Sequence, residues 1–234
     1  MLAELKESVW KANLDLAKSG LILLTFGNVS GIDRRRGVVA IKPSGVPYDS
    51  LKADDIVLVD LEGSVVEGWL NPSSDTPTHV EIYKAFPEVG GVAHAHSTYA
   101  TMFAQAKREI PCFGTTHADH FHGPVPVTRL LVEAEIAEAY EKNTGKIIVE
   151  RFAGLDPLAL PAVLVAGHGP FTWGRSPAEA VETGLVLEQT AKMAFGAMAL
   201  DPRLPPLDAC VLEKHFRRKH GPDAYYGQKK ENER

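Results

Sequence analysis

VGGVAHAHSTYAT, residues 89–101, places His94 and His96 one residue apart in an apolar run. Val89, Val92 and Ala93 lead in as a strand would, and the glycines at 90 and 91 let the backbone pass close to its surroundings. Residues i and i+2 of a strand share a face. The two imidazoles therefore aim the same way, at a spacing that one cation can bridge. The apolar run LVAGHGPFTWG, residues 164–174, enters a Gly-His-Gly-Pro turn with a third histidine, His168. Three imidazoles from two strand ends would make a metal site with an open position, the arrangement that catalytic zinc needs. The alternative for each ring is a hydrogen-bonded core histidine, and the pairing on one strand face argues against it.

Working outward, the apolar positions Leu2, Leu5, Val9, Ala12 and Leu16 predict an amphipathic first helix ending near Ser19-Gly20. LILLTFGNVSGID (21–33) reads as a strand running into a turn, and GVVAIKPSGVPYDSL (37–51) as a strand and a Pro/Gly loop. DDIVLVDLEGSVVEG (54–68) reads as a hairpin turning near Glu62-Gly63. NPSSDTPTHVEIYKAFP (71–87) takes helical period, with Val80, Ile82, Tyr83 and Phe86 as its apolar face. Helices are expected over 97–107 and 132–145, the latter closed by Gly145, then a strand over 146–152. PAVLVAGHGPFTWG (161–174) supplies further strands, and a long helix from 176 to 200 starts at a Ser-Pro signal. The Pro-rich 201–206 leads to a polar C-terminal segment. No composition shift or repeat divides the chain. A single α/β domain, with helices covering a partly antiparallel sheet, is the economical expectation.

The 234 residues can bury a good core, and 44% hydrophobic against 24% charged residues marks a globular chain. A net charge of -5 argues against general nucleic-acid affinity, and no apolar run approaches a membrane span. Two lone cysteines, Cys112 and Cys210, suggest no disulfide framework, so a cytoplasmic location is expected.

Three other stretches carry chemistry-bearing residues. Ser73, Ser74 and Asp75 precede a helix with Pro77 near its first turn. They read either as N-capping groups or, with the free amides of the helix start, as an anion site. Lys42, Ser44 and Gly45 in IKPSGV, and the turn at Gly27-Asn28, could supply further walls. GTTHADHFHG (114–123) holds His117, Asp119, His120 and His122, either as a rival metal site or as a loop whose carboxylate moves protons. The tail with His215, Arg218, Tyr225 and Tyr226 is either a solvated helix or a cover over a site.

Taken in order, TFGNVSGID, IKPSGV, PSSDTPTH, HAHS, GTTHAD, HGPF and KHGPDAYYGQ resemble segments of the class II sugar-phosphate aldolase and epimerase family, over nearly the whole chain. SSDTPTH, GTTHAD and AYYGQ together resemble its L-ribulose-5-phosphate 4-epimerase branch. The resemblance implies a three-layer α/β/α domain over residues 1–228 with a central, mostly antiparallel sheet, and a disordered tail over 229–234. It implies one Zn2+ per subunit, with Mn2+ or Co2+ as possible substitutes, on His94, His96 and His168, with Asp75 as a possible fourth ligand. It implies that Gly27, Asn28, Ser44, Gly45, Ser73 and Ser74 hold a small phosphorylated pentulose. Asp119 and Tyr226 would be the two acid/base residues. Tyr226, His215 and Arg218 would reach the site from a neighbouring subunit of a homotetramer. The implied reaction is 4-epimerisation of L-ribulose 5-phosphate to D-xylulose 5-phosphate by retro-aldol cleavage and re-formation, in an arabinose or ascorbate route. His120 and His122 stand where the family tends to have other aromatics. The alternatives are a sugar-phosphate aldolase of the fuculose-1-phosphate type and a non-catalytic metal-binding protein. The related aldolases carry a glutamate where Asp75 stands, so the shorter side chain favours the epimerase reading.

Overall fold

The computed structural model of the chain describes residues 2–221 and 224–226. Its elements follow in the order α1 (Leu2–Lys18), β1 (Gly27–Asp33), β2 (Val38–Ile41), β3 (Val57–Asp60), β4 (Val65–Glu67), α2 (Thr76–Ala85) and β5 (Gly91–Ala95). Then come α3 (Thr98–Gln105), α4 (Thr115–Ala118), α5 (Glu133–Arg151), β6 (Ala162–Leu164), β7 (Pro170–Gly174), α6 (Pro177–Leu200) and α7 (Ala209–His220). The strands form one sheet in the order β4-β3-β2-β1-β5-β7-β6, with every neighbouring pair antiparallel.

Alternation along the strands sorts side chains onto two faces. Val29, Ala93 and Ala95 pack with Ala12 and Leu16 of α1 and Ala180 and Val181 of α6. Val39, Val92, Phe171 and Trp173 join a larger core with Ile82 and Tyr83 of α2 and Ile147 and Ile148 of α5. Helices thus cover both sides of the sheet, giving the three expected layers. Val80, Ile82, Tyr83 and Phe86 are all buried, as the period of α2 predicts.

The close approach expected of Gly90 and Gly91 is present. A Cβ on Gly90 would lie 2.1 Å from the Arg175 carbonyl oxygen, and one on Gly91 2.3 Å from the Pro177 nitrogen. Any side chain there would push β5 away from the start of α6. Ser176 caps that helix by accepting the Glu179 N–H at 3.2 Å.

Three local expectations are corrected. The apolar part of 21–33 is not strand: Leu24 takes a positive φ of 55°, Leu23, Leu24 and Phe26 are exposed, and β1 is the polar stretch GNVSGID. Gly27-Asn28 is therefore strand, not turn. Residues 146–152 are not a strand: α5 runs on to Arg151 through Gly145. Gly145 is no helix stop but a close-packing point, because a Cβ there would meet Glu81 of α2 at 2.6 Å. Within GTTHAD, Thr115–Ala118 forms the short helix α4 rather than open loop. The tail expected over 229–234, and Gly227-Gln228 of AYYGQ, lie outside the described residues.

Candidate active site

His94 sits near the end of β5 and His96 one residue beyond it. The Nδ1–H of His94 donates to the Pro170 carbonyl at 2.8 Å, and the ring stacks on Phe171 with centroids 4.2 Å apart. A carbonyl oxygen only accepts, so Nδ1 carries the proton and Nε2 presents a lone pair. That nitrogen lies 3.1 Å from Nε2 of His96. Just past His96, the Glu188 carboxylate of α6 accepts the N–H groups of Tyr99 and Ala100, which anchors the chain as it enters α3. His168 comes from the β6–β7 turn. Gly167 there takes φ 76°, and a Cβ on Gly169 would press within 3.1 Å of the Ala95 carbonyl oxygen. The glycines either side of His168 thus let the turn close onto the end of β5.

Ligand atoms of the three histidines lie within 4.8 Å of one another, the one such metal-type group among the described residues. Two nitrogens bound to one zinc at tetrahedral angles stand about 3.4 Å apart, so the His94–His96 separation fits a shared cation. His168 Nδ1 is buried without a hydrogen-bond partner among the described residues. Burial first, and then the charges of His94 and His96, push the pKa of His168 down to about 4. Burial and then His94 lower that of His96. These rings are neutral near pH 7, the form that binds metal. The donor set therefore fits a divalent cation. The rival cluster in 114–123 does not assemble: His117 is spent on the Gly123 carbonyl at 2.7 Å and His122 on Glu213 at 2.7 Å.

Asp75 stands at the N-cap position of α2 yet makes no side-chain capping bond. The capping alternative for this carboxylate is thus overturned. Its Oδ2 accepts from Asn28 Nδ2 at 2.7 Å, and the same amide group donates to Ser73 Oγ at 3.0 Å. Burial would raise the pKa of Asp75, but the charges of His94 and His79 and the Asn28 bond hold it below the usual carboxylate value. Asn28 Oδ1 remains buried and without a partner among the described residues.

The two candidate anion loops meet because their backbones pair. Pro43 bridges Pro72, Ser44 N–H donates to the Asn71 carbonyl at 3.0 Å and Ser73 N–H to the Lys42 carbonyl at 3.0 Å. The result is a cleft of about 340 Å³ lined by Gly27, Asn28, Ser44, Gly45, Ser73 and Ser74 and also by Asp75 and the three histidines. The structure thus brings together every residue expected at the metal or the substrate. Lys42, expected as a further wall, lines it too, and the structure adds Thr25, Phe26 and Pro43. Lys42 is almost fully buried, and burial pushes its pKa down to about 8.

Asp119 and Tyr226 do not line this cleft. Arg218 donates to both Asp119 oxygens, at 2.9 and 2.6 Å, and His215 lies 3.0 Å from Oδ1. Burial would raise the pKa of Asp119, but the Arg218 and His215 hydrogen bonds hold it low. Tyr226 lies under the same arginine, 5.0 Å from ring centroid to guanidinium carbon. In one chain, then, α7 gathers the second set of expected residues apart from the histidine cleft.

An all-antiparallel sheet between helical layers carries a histidine cluster with the donor set of a metal site, in one cleft with two serine-bearing loops. Residues 7–195 match the family model of the class II aldolase and adducin N-terminal domain, and the chain belongs to that family. It is 53% identical over 228 residues to an L-ribulose-5-phosphate 4-epimerase, UlaF, of Salmonella paratyphi C (strain RKS4594), covering 97% of this chain and 100% of the relative. Among solved structures, an L-fuculose 1-phosphate aldolase superposes with a TM-score of 0.77 at 27% identity, covering 92% of this chain and 95% of that one. The L-fuculose-1-phosphate aldolase of Thermus thermophilus does so with a TM-score of 0.63 at 25% identity, covering 88% and 100%.

Proposed function

We propose that the chain is an L-ribulose-5-phosphate 4-epimerase that forms D-xylulose 5-phosphate. The observation that carries the reading is a cleft lined by three converging imidazoles and two serine-bearing anion loops. The near-full-length likeness to an epimerase supports the choice of reaction.

Carbon 4 of the ketose bears no acidic hydrogen, because the carbonyl is at carbon 2. Breaking the bond between carbons 3 and 4 is the accessible route. Ser44, Gly45, Ser73 and Ser74, with the Lys42 charge behind them, hold the phosphate. His94, His96 and His168, with Asp75 beside them, would hold a divalent cation, zinc in this reading, which would supply Lewis-acid charge for the developing anion. One acid/base residue removes the carbon-4 hydroxyl proton, and the bond cleaves to a three-carbon enediolate and glycolaldehyde phosphate. The clamped aldehyde turns over, is attacked on its other face, and the second acid/base residue protonates the new alkoxide. Asp119 and Tyr226 suit the two roles, because the proton leaves from one face and returns to the other. As neither lines the cleft of its own chain, a neighbouring copy in a homotetramer supplies them. The free state of Cys112 and Cys210 supports a cytoplasmic setting. A nitrogen-rich site with a carboxylate nearby also accepts manganese or cobalt.

Zinc-loaded protein should convert L-ribulose 5-phosphate to xylulose 5-phosphate, lose activity with a chelator and regain it with metal. Tight metal binding without turnover would sink the epimerase assignment. The likeness to fuculose-phosphate aldolases favours a second reading, net aldol cleavage. Product analysis separates the two, since an aldolase accumulates free aldehyde and ketone fragments.

A further inference from the structure

The helix α5 is broken at Ala139, whose φ of -164° and ψ of 80° are not helical. Nothing local asks for this: EAEIAEAYEK contains no proline or glycine, and alanine is the best helix former. The break is instead flanked by polar side-chain bonds to the backbone, two from within α5 and one from α2. Asn143 Nδ2 donates to the Glu135 carbonyl across the gap at 2.8 Å, and Thr144 Oγ donates to the Tyr140 carbonyl at 2.9 Å. Thr78 of α2 donates to the Glu141 carbonyl at 2.6 Å. All three donor residues are buried. The segment ahead of the break is also pinned, because Arg129 grips Glu135 at 2.7 and 2.8 Å and Glu150 at 2.9 Å. What this arrangement presents is Tyr140, 38% exposed, with its ring centroid 6.3 Å from that of His168. A local preference overridden by buried polar groups beside a site marks a functional position.

We propose that Tyr140 is a further substrate-contacting residue: its phenol, set beside His168 by the break in α5, hydrogen-bonds an oxygen of the ketose phosphate and retains the cleaved fragments for recombination. The idea rests on the epimerase reading for its chemistry, though not for the contact itself. Burial, and then the Asp75 carboxylate, raise the pKa of the phenol, so it stays a neutral donor throughout the neutral range. No proton transfer is asked of it.

The test is Tyr140→Phe in the full-length, zinc-loaded protein, with xylulose 5-phosphate binding followed by calorimetry and turnover by product analysis. Losing one neutral hydrogen bond should cost about tenfold in kcat/KM. Release of glycolaldehyde phosphate per epimerisation should rise, while zinc affinity, Tm and oligomeric state stay unchanged. A merely structural tyrosine would not shift that partition. An active parent with an unaltered variant overturns the proposal, as does a loss that tracks dissociation of the oligomer. If the parent binds xylulose 5-phosphate without turnover, the epimerase reading fails. Weaker binding by the variant then still supports the contact, and equal binding overturns it. No binding by the parent overturns both.

Discussion

Asn13 lies in α1 and is fully buried, yet it serves the strand that carries Asn28. Its Nδ2 donates to the Val29 carbonyl at 3.0 Å and to the Val9 carbonyl at 2.8 Å, and its Oδ1 accepts the Val29 N–H at 2.9 Å. The β1–β2 pairing begins only at Ser30 opposite Ile41, so at Val29 a helix side chain takes the place of a neighbouring strand. Asn13→Leu keeps the size and removes the pairing. Two buried peptide groups lose their partners, at about 1–3 kcal/mol each, and the added apolar burial returns about 1 kcal/mol. A net loss of about 3 kcal/mol is expected, or about 6–12 °C in Tm for a domain of this size. Thermal unfolding by circular dichroism reads the loss. Zinc affinity, measured by competition with a chromophoric chelator, should fall as well, because the neighbouring Asn28 orients Asp75 and Ser73. A variant melting within 2 °C of the parent (a threshold of roughly 1 kcal/mol), with unchanged zinc affinity, would refute the view that Asn13 completes the sheet.

Asp119→Asn should lower turnover by about 10²-fold or more while zinc content stays the same; full activity with full metal would remove Asp119 from the mechanism. Lys42, with a pKa of about 8, is charged below that pH and neutral above it. KM for the phosphorylated substrate should therefore climb as pH passes about 8, and Lys42→Met should raise KM at pH 7 and flatten the climb. In the unfolded chain this lysine titrates near its ordinary value of about 10.4. The unfolded state then binds more protons between about 8 and 10.4, so this group's contribution to stability grows with pH across that window, which equilibrium urea unfolding at several pH values would reveal. Gly91→Ala would force a Cβ to within 2.3 Å of the Pro177 backbone. It should cost about 1–3 kcal/mol or more by overpacking, and a denaturation midpoint equal to the parent's would show that β5 and α6 can part without penalty.

How legible the chain was depended on whether a signal was local. The His-x-His spacing on one strand and the glycine-flanked His168 named the histidine cluster, because a period of two and a tight turn are properties of a few consecutive residues. The period of α2, the hairpin near Glu62-Gly63 and the Ser176 cap were legible for the same reason. The strand expected over 146–152 went wrong because IIV reads alike in a buried helix face and a buried strand. There α5 packs Ile147 and Ile148 into the core, and only that packing decides between them. The apolar run 21–26, exposed at Leu23, Leu24 and Phe26, misled in the opposite sense: its leucines imitate a strand, while the real strand, GNVSGID, opens with Gly27 and Asn28, which line the cleft.

By itself, the sequence determined which residues can bind a cation or an anion, since imidazoles, serines and glycines declare their chemistry wherever they fall. Only the tertiary structure decided how they meet. The Pro43–Pro72 bridge joins two anion loops that lie far apart along the chain. Asn28 turns Asp75 away from its cap and toward the histidines. Asp119 goes to α7 rather than to the cleft. Each of these is a contact between distant segments, made by an isolated backbone bridge, a side-chain hydrogen bond or an ion pair, and no period or spacing within one segment encodes it.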